Sequence, residues 1–75
     1  MAPEQIIGRI FGVNPGKIDD TTSNTTLEEW DSMGHVNLIM ELESTYGVSL
    51  SPDDALQMTN VATIKRILQS RGASW

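Results

Sequence analysis

The chain has 75 residues, no cysteine and a formal net charge of −5. That length makes one domain, expected over residues 1–75 with a core over about 3–71, and its interior is too small to enclose a buried active site. Lack of cysteine excludes a disulfide framework and intrinsic thiol chemistry, the acidic balance argues against nucleic acid, and the absence of an apolar leader or membrane-length run points to a soluble, cytoplasmic protein.

In chain order, the spacing predicts a first helix over about residues 3–12. Pro3 suits the first helical position, and Ile6, Ile7, Ile10 and Phe11 share one face before Gly12 and Asn14-Pro15-Gly16 end the run. Gly8 is unfavourable by about 1 kcal/mol relative to Ala and marks a weaker segment. From Val13 to Trp30 no period is sustained, and Thr21-Thr22-Ser23-Asn24-Thr25-Thr26 suits neither a buried helix nor a buried strand. Such a long connection needs anchoring, which Ile18, Leu27 and Trp30 can supply, with a short turn near Leu27 to Glu29.

The second helix should start at Asp31 or Ser32, both good caps, and stop at Gly47. Val36, Leu38, Ile39, Met40, Leu42 and Tyr46 cover an arc of about 200°, which predicts packing against more than one neighbour. The opposite strip carries Gly34, Asn37, Glu41, Ser44 and Thr45, with Met33 at its edge. Val48-Ser49-Leu50 reads as a short extended link with Leu50 inward. Ser51-Pro52-Asp53-Asp54 predicts a capping box and a short helix, and Asn60 caps a last helix with Val61, Ile64, Ile67 and Leu68 buried. Gly72 ends that helix, and Ala73-Ser74-Trp75 is expected to fray.

Ser32 stands out within Trp30-Asp31-Ser32-Met33-Gly34-His35, where an irregular polar stretch becomes a helix. Its hydroxyl lies in a first turn, where free N–H groups and the positive dipole end favour a phosphate ester. No nearby nucleophile–base pair, metal cluster, triad or glycine-rich phosphate loop accompanies it, so no catalytic or metal-binding residues are expected and the chain is not read as an enzyme. Asp19-Asp20 and Asp53-Asp54 lack the spacing of a calcium loop and read as a solvated surface. His35 reads as a partly exposed residue without a chemical role. Met33, Met40 and Met58 could line an apolar cleft, and core filling explains Met40 and Met58 equally well. Between Lys17 and Lys65 there is no other Lys or Arg, while nine of the ten acidic residues lie there, which would steer basic partners toward Ser32.

From Trp30 to Leu68 the chain resembles an acyl carrier protein. The match takes in Asp31-Ser32-Met33, the series Val36, Leu38, Ile39, Leu42, then Glu43, Tyr46, Leu50, Ala55 and Thr59-Asn60-Val61. The resemblance implies an all-α, four-helix acyl-carrier-like bundle with three main helices, one short helix and a long loop between helices 1 and 2. It also implies 4′-phosphopantetheine, taken from coenzyme A, attached covalently at Ser32 and holding acyl or aminoacyl cargo as thioesters. The partners implied are a phosphopantetheinyl transferase, a loading ligase and a downstream acyltransferase or synthase. They are expected to dock on Asp31, Met33, Asn37 and Glu41 of a monomer. Carriers of bulk fatty acid synthesis place acidic residues early on the second helix; Gly34, His35 and Asn37 here look more like stand-alone carriers of specialised pathways, such as polyketide or nonribosomal peptide assembly, aminoacyl transfer, or sugar and lipid acylation. The competing reading is a small acidic helical interaction module in which Ser32 is only a helix cap.

Overall fold

Pro3 opens the first helix because its missing N–H is one that a helix start would leave unbonded anyway. In the computed structural model, which describes residues 1–75, α1 runs Pro3–Phe11, α2 Ser32–Tyr46, α3 Pro52–Gln57 and α4 Val61–Ser70. The architecture is the small helical bundle that the periodicities predict, and one 3₁₀ turn, Pro15–Lys17, is added where a simple helix stop was expected. Gly12 and Gly47 close α1 and α2 at φ 68° and 64°, in the left-handed region. Ser51 and Asp54 form the expected capping box, and Asn60 Oδ1 accepts from Thr63 N–H at 2.8 Å to start α4. No helix is long and apolar enough to cross a membrane.

The core forms where α1 packs on α2 and α4 while α3 lies against α4. Ile6, Ile7, Leu38, Leu42, Met58, Val61, Ile64 and Leu68 are fully buried there. Val36 and Met40 are not in it: they are 58% and 60% exposed, which corrects the wide apolar arc expected of α2. An arc that wide needs neighbours on two sides, and the six-residue α3 sits on α4 and leaves the second side of α2 open. Met40 is therefore surface, and only Met58 fills the core.

Gly34 departs from expectation in the other direction. It sits against α1, where a Cβ would come within 2.5 Å of Phe11 Cε1, so the residue lies at a close helix approach and not on a solvent strip. Gly8 plays a similar part in α1: it is buried, and a Cβ there would lie 2.6 Å from the Val13 carbonyl oxygen. The same missing Cβ that weakens the helix there lets the chain turn back closely after α1.

The long connection is ordered by its own polar groups as well as by Ile18, Leu27 and Trp30. Asp19 Oδ1 accepts from Thr21 N–H, and Ser23 N–H donates to Thr26 Oγ1, so the hydroxyl-rich run folds into side-chain-closed turns. Backbone bonds then tie it to the α3–α4 link: Asn24 N–H to Thr59 C=O at 3.0 Å, Val61 N–H to Thr22 C=O at 3.0 Å, and a bridge between Ser23 and Asn60. The expected turn after Leu27 is present, with Trp30 N–H donating to Leu27 C=O. The C-terminal tail, by contrast, does not fray. Ala73 is buried, its N–H donates to Leu68 C=O, and Trp75 packs its ring 5.7 Å from that of Tyr46.

Candidate functional site

The first turn of α2 has a division of labour between two adjacent residues. Asp31, in extended conformation, is the N-cap: its Oδ1 accepts from Gly34 N–H at 2.8 Å and its carbonyl accepts from His35 N–H at 2.8 Å. Ser32 is the first helical residue and is exposed, with its hydroxyl engaged by no other group of the chain. The amides of Ser32 and Met33 precede the first hydrogen bond of the helix and stay free. A free hydroxyl, two free N–H groups and the positive end of a 15-residue helix thus coincide at one exposed corner.

Behind this corner Trp30, His35 and Ala55 form a relay across three parts of the chain. Trp30 is 3% exposed, stacks on Phe11 at 5.6 Å, and donates its indole N–H to His35 Nδ1 at 2.9 Å. An indole nitrogen can only donate, so Nδ1 is unprotonated and the ring proton sits on Nε2, which donates to the Ala55 carbonyl at 2.7 Å. His35 is partly exposed as expected, and its work is structural: it joins the long connection and α3 to the start of α2 with both ring nitrogens committed.

An open cleft of about 390 Å³ lies on this side of Ser32. Its walls are Asn24 of the connection, Trp30, Ser32 and His35 around the start of α2, and Leu56 and Thr59 of α3 and the link after it. Sequence reasoning found Ser32, Trp30 and His35 but not Asn24, Leu56 and Thr59. The pairing of the connection with the α3–α4 link and the His35–Ala55 bond bring those three to Ser32, and no local pattern encodes either. Leu56 alone left a trace, as an apolar residue of a short helix that no buried stripe claims.

The residues expected to meet partners are all on α2 or its cap. Asp31 and Asn37 are exposed and Met33 is 79% exposed, so Met33, Val36 and Met40 form one open apolar stripe. Glu41 is only partly exposed, and its carboxylate is held by Arg9 of α1. The acidic surface is likewise uneven. Lys65 pairs with Glu4 at 2.6 Å and Asp20 at 2.7 Å, and Arg71 donates from Nε and Nη2, one edge of its guanidinium, to both Asp54 oxygens, whereas Glu28, Glu29 and Asp31 next to Ser32 have no cationic partner. The Ser51 N–H and then the Arg71 guanidinium hold the Asp54 carboxyl below its ordinary range, and the bonds from Asp20 and Glu4 raise Lys65 above its own. The two acidic pairs are thus split between separate cationic partners and solvent.

A family model described as a phosphopantetheine attachment site matches residues 4–68. That family carries 4′-phosphopantetheine covalently, joined through a phosphodiester. The corner at Ser32 fits such a group: an unengaged hydroxyl, two free amides for a phosphate and an open cleft alongside for a flexible chain.

Proposed function

Because the chain belongs to the phosphopantetheine-attachment family of carrier proteins, we propose that Ser32 is its attachment point and that it holds acyl or aminoacyl groups for delivery to partner enzymes. The observation that carries this reading is the separation of roles at the helix start. Asp31 does the capping, so Ser32 has no structural duty that would explain an exposed hydroxyl there. When bound, the prosthetic group supplies a thiol, which the chain lacks, on a tether long enough to reach several active sites.

The chain's own contribution is presentation. Ser32 Oγ attacks the coenzyme A phosphorus that bears pantetheine, the pyrophosphate bond breaks and adenosine 3′,5′-bisphosphate leaves. The serine proton must be taken by the transferase, since both His35 nitrogens are already committed to Trp30 and Ala55. The free amides of Ser32 and Met33 then receive the phosphodiester charge in the dipole field of α2. Partner enzymes — the transferase, a loading ligase and a downstream acyltransferase or synthase — dock on Asp31, Met33, Asn37 and Glu41, with Val36 and Met40 extending the apolar part of that surface. Apolar contact carries more of this docking than charge, because Arg9 already neutralises Glu41. Gly34, His35 and Asn37 in place of early acidic residues favour cargo of a specialised pathway over bulk fatty acid synthesis. Incubation with coenzyme A and a broad-specificity transferase, followed by fragmentation of the modified peptide, tests the assignment. The added phosphopantetheine should localise to Ser32, and localisation to Ser23, Thr25 or any other hydroxyl would overturn it.

A further inference from the structure

We infer that the Trp30–His35 joint is a proton-operated latch on the attachment corner. Closed while the imidazole is neutral, it holds the end of the long connection against the start of α2; a proton on Nδ1 opens it. The reason lies in the chemistry of the two partners. An indole N–H can only donate, so it needs the unprotonated Nδ1 that faces it at 2.9 Å. A proton taken from water onto Nδ1 makes both ring nitrogens donors, and two donors then face each other at this joint. The other joint is indifferent to the change, since Nε2–H donates to the Ala55 carbonyl, now 2.7 Å away, in either state. That carbonyl lies in the last turn of α3, where its remaining bond, from Met58 N–H, is long at 3.3 Å. His35 therefore stays with α3, and the break falls between it and Trp30.

What the break releases lies next to Ser32. Trp30 is 3% exposed, and its indole N–H has no hydrogen bond other than the one to His35. A buried N–H left without an acceptor is costly, so the ring must turn toward the water of the cleft that it lines. Asp31 follows directly, and its carboxylate and carbonyl start α2, so a shift of the ring reaches the cap and the exposed Ser32. The surroundings leave His35 as the group that operates the latch. Asp31 shares the cleft with it at the helix start. The connection brings the exposed Glu28 and Glu29, and α3 brings the exposed Asp53 and, beside Ala55, Asp54, which Arg71 at the end of α4 already holds. Asn24, Thr59 and, behind Trp30, Phe11 of α1 do not titrate. Every other acid–base group that titrates here is a carboxylate, and carboxylates as a class change charge at lower pH than histidines.

Nuclear magnetic resonance of the isotope-labelled, unmodified protein from about pH 8 to about pH 5, the span in which histidines as a class change charge, tests the latch without requiring any attachment. As the His35 ring becomes doubly protonated, the Trp30 indole resonance and the amides of residues 28–31 should move with the same midpoint, and the Ala55 and Leu56 amides should move less. His35→Gln keeps an acceptor and a donor but gains no proton, so the Trp30 indole resonance should stay constant over the range. Trp30→Phe keeps an aromatic ring in the core but donates nothing: His35 should still titrate, while the amides of residues 28–31 move by less than half as much. Should His35→Gln fail to fold, Trp30→Phe decides alone. Amides that follow His35 as closely in Trp30→Phe as in the native chain, or an indole resonance unmoved while the ring is protonated, would overturn the latch. Its effect on loading rests on attachment at Ser32. The ratio of native to His35→Gln loading rates, which cancels the transferase's own pH dependence, should fall about twofold or more between about pH 8 and about pH 5.5. A constant ratio would overturn the latch's hold on loading. No loading of either protein at any pH would instead overturn the attachment and leave the titration result standing.

Discussion

Ser32 and Gly34, two positions apart, show how differently a single residue can be legible. The exposed hydroxyl of Ser32 at a helix start could be read, and the proposed attachment with it, because a hydroxyl after an acidic cap has a local chemical meaning. Gly34 could not, because its reason is the Phe11 ring of another helix, 2.5 Å from where a Cβ would stand. In an exposed helix Ala gains about 1 kcal/mol over Gly. Here overpacking against a ring that already stacks on Trp30 costs about 1–3 kcal/mol and prevails. Gly34→Ala should therefore lower the urea midpoint and Gly34→Val should lower it further; a higher midpoint for Gly34→Ala would show that α1 and α2 are not in close approach. Asp54 gives a pH signature. Its carboxyl is held below 3.8 by the Ser51 N–H and Arg71, so the folded protein binds fewer protons there than the unfolded chain. That stabilisation is complete above about pH 4–5 and is lost as pH falls through the folded-state value. Urea midpoints measured from pH 6 to pH 3 should fall at the acid end, and Asp54→Asn should flatten that decline; parallel curves for both proteins would remove the ion pair from the account.

At the scale of elements, helix existence and ends were legible because caps are local: Asp31, Ser51 and Asn60 cap the helices they precede, and Gly12 and Gly47 close two of them. The buried face of α2 was only half legible. Leu38, Ile39 and Leu42 are inside, but Val36 and Met40 have the same apolar character and lie outside, since periodicity does not reveal how many neighbours a helix has. Stability measurements separate the two groups. Leu42→Ala removes a fully buried side chain and should cost about 2–5 kcal/mol, a large part of the total stability of so small a domain. Val36→Ser and Met40→Ser should stay within about 0.5 kcal/mol of the parent. Comparable losses at Val36 and Leu42 would mean that α2 is rotated from the orientation described. The long connection was the least legible element. Its Thr- and Ser-rich run has no period, and what orders it is a set of side-chain-closed turns and backbone bonds to residues 59–61, far away in sequence.

For the whole molecule, a net charge of −5 describes the surface poorly, because the basic residues remove charge selectively. Arg9, Lys65 and Arg71 cover Glu41, Glu4 with Asp20, and Asp54, and leave Glu28, Glu29 and Asp31 as the uncompensated group next to Ser32. Long-range steering by those three should fade as salt screens it beyond about 10 Å at 0.1 M. Loading by a cognate enzyme should slow severalfold for Met33→Ala and less for Glu41→Lys, with unchanged helical circular dichroism in both. Native loading rates for both variants across a range of salt would place the docking surface elsewhere, with the connection before Trp30 next in line. The carrier reading depends on one covalent bond, and intact mass reads it directly. After incubation with coenzyme A and a broad-specificity phosphopantetheinyl transferase, the native chain should gain one phosphopantetheine. Ser32→Ala, which loses no cap because Asp31 is the cap, should remain folded and gain none. A folded Ser32→Ala protein that still takes up the group would contradict the assignment of Ser32.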